Sequence, residues 1–134
     1  MRRNFKYFRI VFRRVSLRGA KKEYLEYKER ALVLAKQRLE YFNQKYGFKF
    51  NRISIKNQKT RWGSCSKKGN LNFNYNIALL PEQLADYIIV HELCHLQELN
   101  HSRKFWGLVA QSFPDYLNLR KKLKSFHKNK TGLG

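Results

Sequence analysis

The segment His91-Glu92-Leu93-Cys94-His95 contains the residue types of a catalytic metal site. Residues four apart on a helix share a face, so the two imidazoles can bind one metal ion from the same side. Glu92 lies about 100° around the helix from His91, where it can reach a water molecule on that ion. The segment therefore predicts a zinc ion bound by His91 and His95, with Glu92 as the general base. The alternative is a hydrogen-bonded His-Glu-His cluster without chemistry.

A third ligand must come from the residues after His95. His101 is favoured because the interval His91–His95–His101 matches the ligand spacing of metzincin peptidases, although Glu98 stands where those enzymes have glycine. A continuous helix would point His101 about 80° away from the ligand face, so the chain must turn first. Asn100 can end a helix in the left-handed conformation. Asp115 and Glu98 remain the alternative third ligands.

The helix that bears the motif is predicted to begin at Pro81 and to run through His95. Apolar residues surround it almost completely, which predicts a buried helix: they are Leu84, Ala85, Ile88, Ile89, Val90, Leu93 and Leu96. Two histidines and a glutamate in such a helix need polar partners or a metal ion, because burying them without partners is costly. The surroundings therefore favour the metal site.

The rest of the chain predicts an α+β fold. A long helix is expected over Glu23 to Tyr46, ended by Gly47, and the short alternating segments that follow predict a small, mainly antiparallel sheet. The predicted strands are residues 48–50 with 53–55, residues 60–66, and residues 71–75, with a turn at 67–70. Ser102 can cap a further helix, and after Pro114 an amphipathic basic helix completes a helical C-terminal part.

Length and composition indicate one globular domain of modest core. We predict a basic N-terminal arm over residues 1–22, a domain over residues 23–126 and a basic tail over residues 127–134. Residues 5–17 alternate like a short basic strand. No apolar run approaches the length of a membrane span. Two cysteines are too few for a disulfide scaffold, so we expect reduced thiols and a cytoplasmic location.

The net charge of +20 is extreme for 134 residues. Residues 1–22 contain nine Lys and Arg and no acid, and residues 117–134 contain six and no acid. Such charge favours polyanionic partners, including nucleic acid or nucleotide phosphates. The alternative is a solvated basic surface without a dedicated ligand.

Several motifs together resemble the YgjP-like metallopeptidase family. They lie within residues 25–126 and are Arg61-Trp62-Gly63-Ser64-Cys65-Ser66, Gly69-Asn70-Leu71-Asn72-Phe73-Asn74, Leu80-Pro81, Asp86 to His95, and Asn100 to Trp106. The resemblance implies a zincin-like fold with His91, His95 and His101 on one Zn²⁺ per chain and Glu92 as the base. SprT-like proteases, which act on DNA-bound proteins, are more distantly similar. The N-terminus departs from the family pattern, which bears on substrate recognition.

Substrate contacts are predicted from the segments around the motif. In a zincin, the strand beside the active helix pairs with an extended substrate, so Leu71, Asn72, Phe73 and Asn74 are the candidate substrate-binding edge. Arg61 is a candidate for holding an anionic substrate group, and Tyr116 for donating to the oxyanion. Gly63 is expected to permit a bulge or a close approach of the backbone. Trp62 and Trp106 are favoured as core aromatics.

The predicted function is zinc-dependent hydrolysis, most simply of peptide bonds, by attack of a zinc-activated water that Glu92 deprotonates. One alternative is a metal-dependent nucleotide (UTP) pyrophosphatase. The sequence has no Gly-rich phosphate loop and too few carboxylates for a magnesium site, which argues against this alternative. The other is a basic nucleic-acid-binding protein whose zinc site is structural or vestigial. Salt-sensitive nucleic-acid binding without hydrolysis would favour that reading.

Overall fold

The computed structural model describes residues 17–131, with the side chains from residue 21 to residue 126. Helix α1 spans Leu17–Tyr46, and three strands follow: β1 (Arg52–Lys56), β2 (Gly63–Cys65) and β3 (Asn70–Asn74). A 3₁₀ helix over Tyr75–Leu79 leads into α2 (Glu82–Cys94), α3 (Arg103–Ser112) and α4 (Tyr116–Thr131). The predicted α+β fold is confirmed, as is the helical C-terminal part.

The sheet is mixed, so the prediction of a mainly antiparallel sheet is wrong. The strand order is β1-β3-β2, with β3 in the centre. β1 pairs with β3 in parallel over five residues, whereas β2 pairs with β3 antiparallel over three. A turn joins β2 to β3, where Gly69 has a φ of 85°. The parallel pairing requires a connection from β1 across to β3, and no local alternation in the sequence reveals such a long-range pairing.

α1 forms one side of the core, behind the sheet and the 3₁₀ helix. Its buried side chains recur every four residues, as one face of a helix must: they are Tyr27, Ala31, Ala35 and Leu39. Two polar contacts fix its position: the Tyr24 hydroxyl donates to the carbonyl of Ile55 in β1, and Arg38 forms a two-pronged ion pair with Asp86 of α2 at 2.8 and 2.9 Å. These contacts align α2 with the sheet.

Several predicted boundaries differ from the observed ones. α1 begins six residues before Glu23, where the helix was predicted to start, and α4 continues beyond residue 126. Residues 48–50 are not a strand, and the second strand is limited to Gly63–Cys65. The predicted strand over residues 5–17 lies outside the described residues except for Leu17, which begins α1. Among the described residues, no helix has the length and apolar character needed to cross a lipid bilayer.

Candidate metal centre

The last turn of α2 and the turn after it carry the histidines of the motif. α2 ends at Cys94, and His95 is its C-terminal cap with a backbone N–H bonded to the carbonyl of His91 at 3.3 Å. Glu92 and His95 are buried, with 6% and 7% of their surfaces exposed. The His95 Nδ1 lies 2.8 Å from the carbonyl oxygen of Glu98 and donates a hydrogen bond to it. This bond places the ring proton on Nδ1 and leaves Nε2 as the ligand atom.

His101 reaches the same place because the chain turns back after α2. Short i to i+3 hydrogen bonds follow the helix, from Leu96 to Leu93 and from Gln97 to Cys94. Asn100 does not adopt the predicted left-handed conformation, since among the described residues only Gly47 and Gly69 have positive φ. The tight turns at the helix end perform the reversal that was expected of Asn100.

Two aromatic rings of α3 pack against the three imidazoles. Ser102 caps α3 as predicted, accepting a hydrogen bond from the backbone N–H of Phe105. Phe105 is fully buried, stacks on His95 with ring centres 4.2 Å apart, and meets His91 and His101 edge-on at 5.0 and 5.1 Å. Trp106 stacks on His101 at 5.8 Å. The imidazoles are thus oriented by packing.

The three histidines form a cluster that suits a zinc ion. Their ligand nitrogens lie within 4.8 Å of one another, and Nε2 of His95 is 3.1 Å from Nε2 of His101. Two nitrogens bound to one tetrahedral zinc lie about 3.3 Å apart, given Zn–N bonds of about 2.05 Å. Burial lowers the pKa of His95 and of His101, and His91 lowers both further, although Glu92 opposes this in each case and the Glu98 carbonyl does so at His95. The net direction favours neutral imidazoles, whose lone pairs can bind a metal ion. Asp115 and Glu98 are not part of this cluster.

Glu92 lies between His91 and strand β2. Its Oε2 is 3.2 Å from Nδ1 of His91. Gly63 faces it from the other side: a Cβ at that position would lie 3.0 Å from Cγ of Glu92 and 3.0 Å from the carbonyl oxygen of Asn72. The close approach expected at Gly63 therefore occurs, and its partner is the Glu92 side chain. A larger residue would have to displace the carboxylate or the strand.

A cavity of about 490 Å³ opens beside Glu92 and His91. Its walls come from the segment before β2, from α2 and from α4. The lining residues are Thr60, Arg61, Trp62, Gly63, Tyr87, Ile88, His91, Glu92, Arg120, Leu123 and Lys124. The cavity thus adjoins the candidate metal centre and is large enough for a part of a substrate.

β3 does not offer the free edge that was predicted for substrate pairing at Leu71–Asn74. β3 has neighbours on both sides, so its backbone cannot pair with a further strand, and none of these four residues lines the cavity. Asn74 is instead a buried anchor: its Nδ2 donates to the carbonyls of Gln58 and Arg61 at 2.6 and 2.9 Å. These bonds hold the segment that carries Arg61, which does line the cavity as an exposed side chain.

Tyr116, the predicted oxyanion donor, does not line the cavity. Its ring stacks on Trp106 at 4.8 Å and an angle of 13°, which is a packing role. Tyr87 lines the cavity instead, edge-on to His91 at 5.9 Å, and burial raises its pKa to about 12. Tyr87 precedes His91 by four residues, so helical spacing could have identified it. Arg120 and Lys124 were missed as well, because no local pattern links α4 to α2.

Comparisons with known proteins agree with this geometry. The model of the YgjP-like metallopeptidase domain matches residues 14–126, which is most of the chain. The protein belongs to the YgjP-like family. Two solved structures are similar: the metallopeptidase zymogen abylysin of Pyrococcus abyssi, at 25% identity and a TM-score of 0.62, and the metallopeptidase zymogen jannalysin of Methanocaldococcus jannaschii, at 26% and 0.60.

The alignment with abylysin covers 68% of this chain and 92% of abylysin, and that with jannalysin 68% and 94%. No curated protein sequence matches the chain significantly. The metallopeptidase fold of this YgjP-like protein is therefore established by the family and by its structural neighbours, and it is confirmed as zincin-like.

Proposed function

We propose that this YgjP-like protein is a zinc-dependent peptidase. The observation that carries the proposal is the position of Glu92, buried on the wall of the cavity and adjacent to a cluster of three histidines. His91, His95 and His101 would hold one zinc ion through their imidazole nitrogens. Zinc held by three protein ligands lowers the pKa of a water molecule and polarises a carbonyl group.

Glu92 performs the proton transfers in this proposal. Its carboxylate accepts the proton of the attacking water and afterwards delivers it to the leaving amine. Gly63 leaves the carboxylate room to do so, and the contact between Oε2 and Nδ1 of His91 fixes its orientation. The Glu98 carbonyl and the Phe105 ring keep the imidazole of His95 oriented, which limits the reorganisation that binding a metal requires.

The substrate backbone is proposed to lie along β2. This strand is at the end of the sheet order β1-β3-β2, so within residues 17–131 one of its edges has no neighbouring strand. Gly63, its first residue, lines the cavity next to Glu92. An extended peptide could pair with that edge through backbone hydrogen bonds and would then lie beside the metal centre. Because such bonds do not involve side chains, they can bind peptides of different sequence.

Neither alternative function is favoured by an observation of the described residues. Glu92 is the only carboxylate that lines the cavity, whereas a magnesium-dependent nucleotide pyrophosphatase needs several oxygen ligands. Nucleic-acid binding was predicted from the basic ends, and residues 1–16 lie outside the described residues. It therefore remains a prediction, as does the cytoplasmic location.

The test measures zinc content and peptide cleavage in the same preparations. The wild type is expected to bind about one zinc per chain and to cleave an unstructured protein such as casein, because a site of three imidazoles keeps an open position. His101→Ala is expected to lose most of its zinc and all cleavage, whereas Asp115→Asn and Glu98→Gln keep both.

Zinc retained by His101→Ala but lost by one of the two carboxylate variants would move the third ligand to that residue. A wild type that binds zinc stoichiometrically yet cleaves no peptide bond would contradict the peptidase. Pyrophosphate released from UTP by that preparation would then favour the nucleotide hydrolase.

A further inference from the structure

The cavity beside Glu92 has an excess of positive charge. Arg61, Arg120 and Lys124 line it, and Glu92 is the only acidic residue that does. All nine Asp and Glu residues of the chain lie between residues 23 and 115, within the described part. The ion pairs there join Arg38 to Asp86 and His91 to Glu92, so no Asp or Glu side chain in the described part forms an ion pair with the three cations.

One of these cations, Arg120, lies over an aromatic ring that contacts the metal centre. The guanidinium carbon of Arg120 lies 4.8 Å from the centre of the Trp106 ring, and Trp106 itself stacks on His101. Arg120 is exposed and forms no hydrogen bond among the described residues, so its donors are available. Stacking on Trp106 restricts the side chain without occupying those donors, which is how a binding arginine is preorganised.

The remaining cations complete one charged rim. Lys124 follows Arg120 by four residues and thus shares its face of α4, with Leu123 between them on the cavity wall. Arg61 faces this helix from the segment before β2, where the two bonds from Asn74 hold its backbone. The three cations therefore come from two separate segments of the chain, and Gly63, the first residue of β2, lines the same cavity.

We propose that the preferred substrates are peptides that present a carboxylate to this rim, either from an acidic side chain near the scissile bond or from the peptide C-terminus. This inference rests on the proposed peptidase function. A carboxylate matches the two-pronged donor geometry of arginine and would pair charges that have no carboxylate partner among the described residues. Between the cations the lining is largely apolar, with Trp62, Tyr87 and Leu123, which suits the neighbouring side chains of a peptide better than a triphosphate.

The test uses matched peptides and the zinc-loaded full-length protein. One pair differs only by Glu or Gln next to the cleaved bond, and a second pair differs only by a free or amidated C-terminus. The acidic member of at least one pair is expected to have about a tenfold higher kcat/KM, because a charge-assisted contact replaces a neutral one. The first pair reports on a side-chain carboxylate and the second on a terminal one.

Variants of α4 connect the preference to the rim. Arg120→Gln is expected to reduce the ratio of kcat/KM for the acidic peptide to kcat/KM for its neutral partner to a value between about 1 and about 3. Arg120→Lys should leave an intermediate ratio, since lysine keeps the charge but loses the planar fork. Lys121→Gln removes the same charge from an exposed residue of the same helix that does not line the cavity. It is expected to leave the ratio at the wild-type value.

Two results would overturn the inference while peptide cleavage continued. One is equal cleavage of both members of each pair, and the other is an equal loss of preference in Lys121→Gln and Arg120→Gln. If no peptide is cleaved, the proposed function fails, and the binding of labelled peptides decides the inference separately. Stronger binding of the acidic member that depends on Arg120 would still support a carboxylate site, whereas displacement only by UTP would identify a phosphate site and overturn it.

Discussion

Glu23 and Glu92 are both buried, with 9% and 6% of their surfaces exposed, but their surroundings differ. Glu23 lies on α1 in the packed interior, where it accepts a hydrogen bond from the Tyr75 hydroxyl and where burial raises its pKa. Glu92 lies on a cavity wall beside His91, opposite a glycine and within a rim of cations. The difference teaches that burial alone does not make a carboxylate reactive: it also needs access to a substrate and space to exchange a proton.

Replacement of each glutamate by glutamine tests this comparison most strongly. Glu92→Gln is expected to lower turnover about a hundredfold to ten-thousandfold, because the amide cannot accept the proton of the attacking water. Zinc content and the free energy of unfolding should stay near the wild-type values, as measured by elemental analysis and urea denaturation. Glu23→Gln is the matched control and should keep full turnover. Comparable losses in both variants would mean that the two sites do not differ as described.

The second expected effect separates the packing beneath the histidines from their chemistry. Phe105→Ala is expected to reduce the free energy of unfolding by about 3–5 kcal/mol, because it empties a fully buried site that touches all three imidazoles. Zinc affinity should fall with it, since the rings lose their support. Phe50→Ala, at a position that is 37% exposed, should cost much less. Urea denaturation of the metal-free proteins measures the free energy of unfolding of both variants. Equal losses in Phe105→Ala and Phe50→Ala would contradict a supporting role of Phe105.

The third expected effect concerns the space that Glu92 requires. Gly63→Ala would place a methyl group 3.0 Å from Cγ of Glu92, and a misplaced catalytic group costs about a hundredfold in turnover. Gly63 does not have a positive φ, so alanine changes only the space. Gly107→Ala adds the same methyl group in α3 where nothing lies within 4 Å, and it should keep wild-type turnover. Full activity of Gly63→Ala with one zinc bound would show that Glu92 tolerates displacement.

The smallest expected effect is the pH dependence of stability that Glu23 produces. Its pKa is raised above 4.5 in the folded protein, first by burial and further by Glu26, while the Tyr75 bond opposes the rise. The folded state therefore binds this proton more tightly than the unfolded state, and stability falls as the pH rises through the folded pKa. Glu23→Gln should remove this fall. Urea denaturation at pH values from below 4.5 upward measures it, and an identical slope in both proteins would contradict the raised pKa.

Much of the metal centre could be predicted because it depends on local geometry. The i, i+4 spacing of His91 and His95 and the cap at Ser102 follow from helical rules that hold in any context. The structure brings His101 to these two residues, as its spacing predicted, but through tight turns after Cys94 and not through Asn100. The position of His101 therefore depends on the overall reversal of the chain and not on which residue produces it.

Features that depend on long-range pairing could not be predicted in this way. The alternation of Leu71 and Phe73 identified a strand, but an internal strand and an edge strand can alternate alike. The sequence therefore predicted a substrate edge on β3, whereas β3 is the central strand and β2 is an outer strand of the sheet that the structure describes. Tyr116 was selected by residue type, and its stacking on Trp106 became visible only in the packed helices.

The sequence by itself determined the family, the α+β class and the residues that can bind a metal, because each depends on residue identity and short spacing. Only the tertiary structure decided which side chains surround Glu92. The contact with Gly63, the support from Phe105 and the cations of α4 all join segments distant in the chain. Their assembly follows from burial of a shared core, and a local pattern does not encode which surfaces that burial brings together.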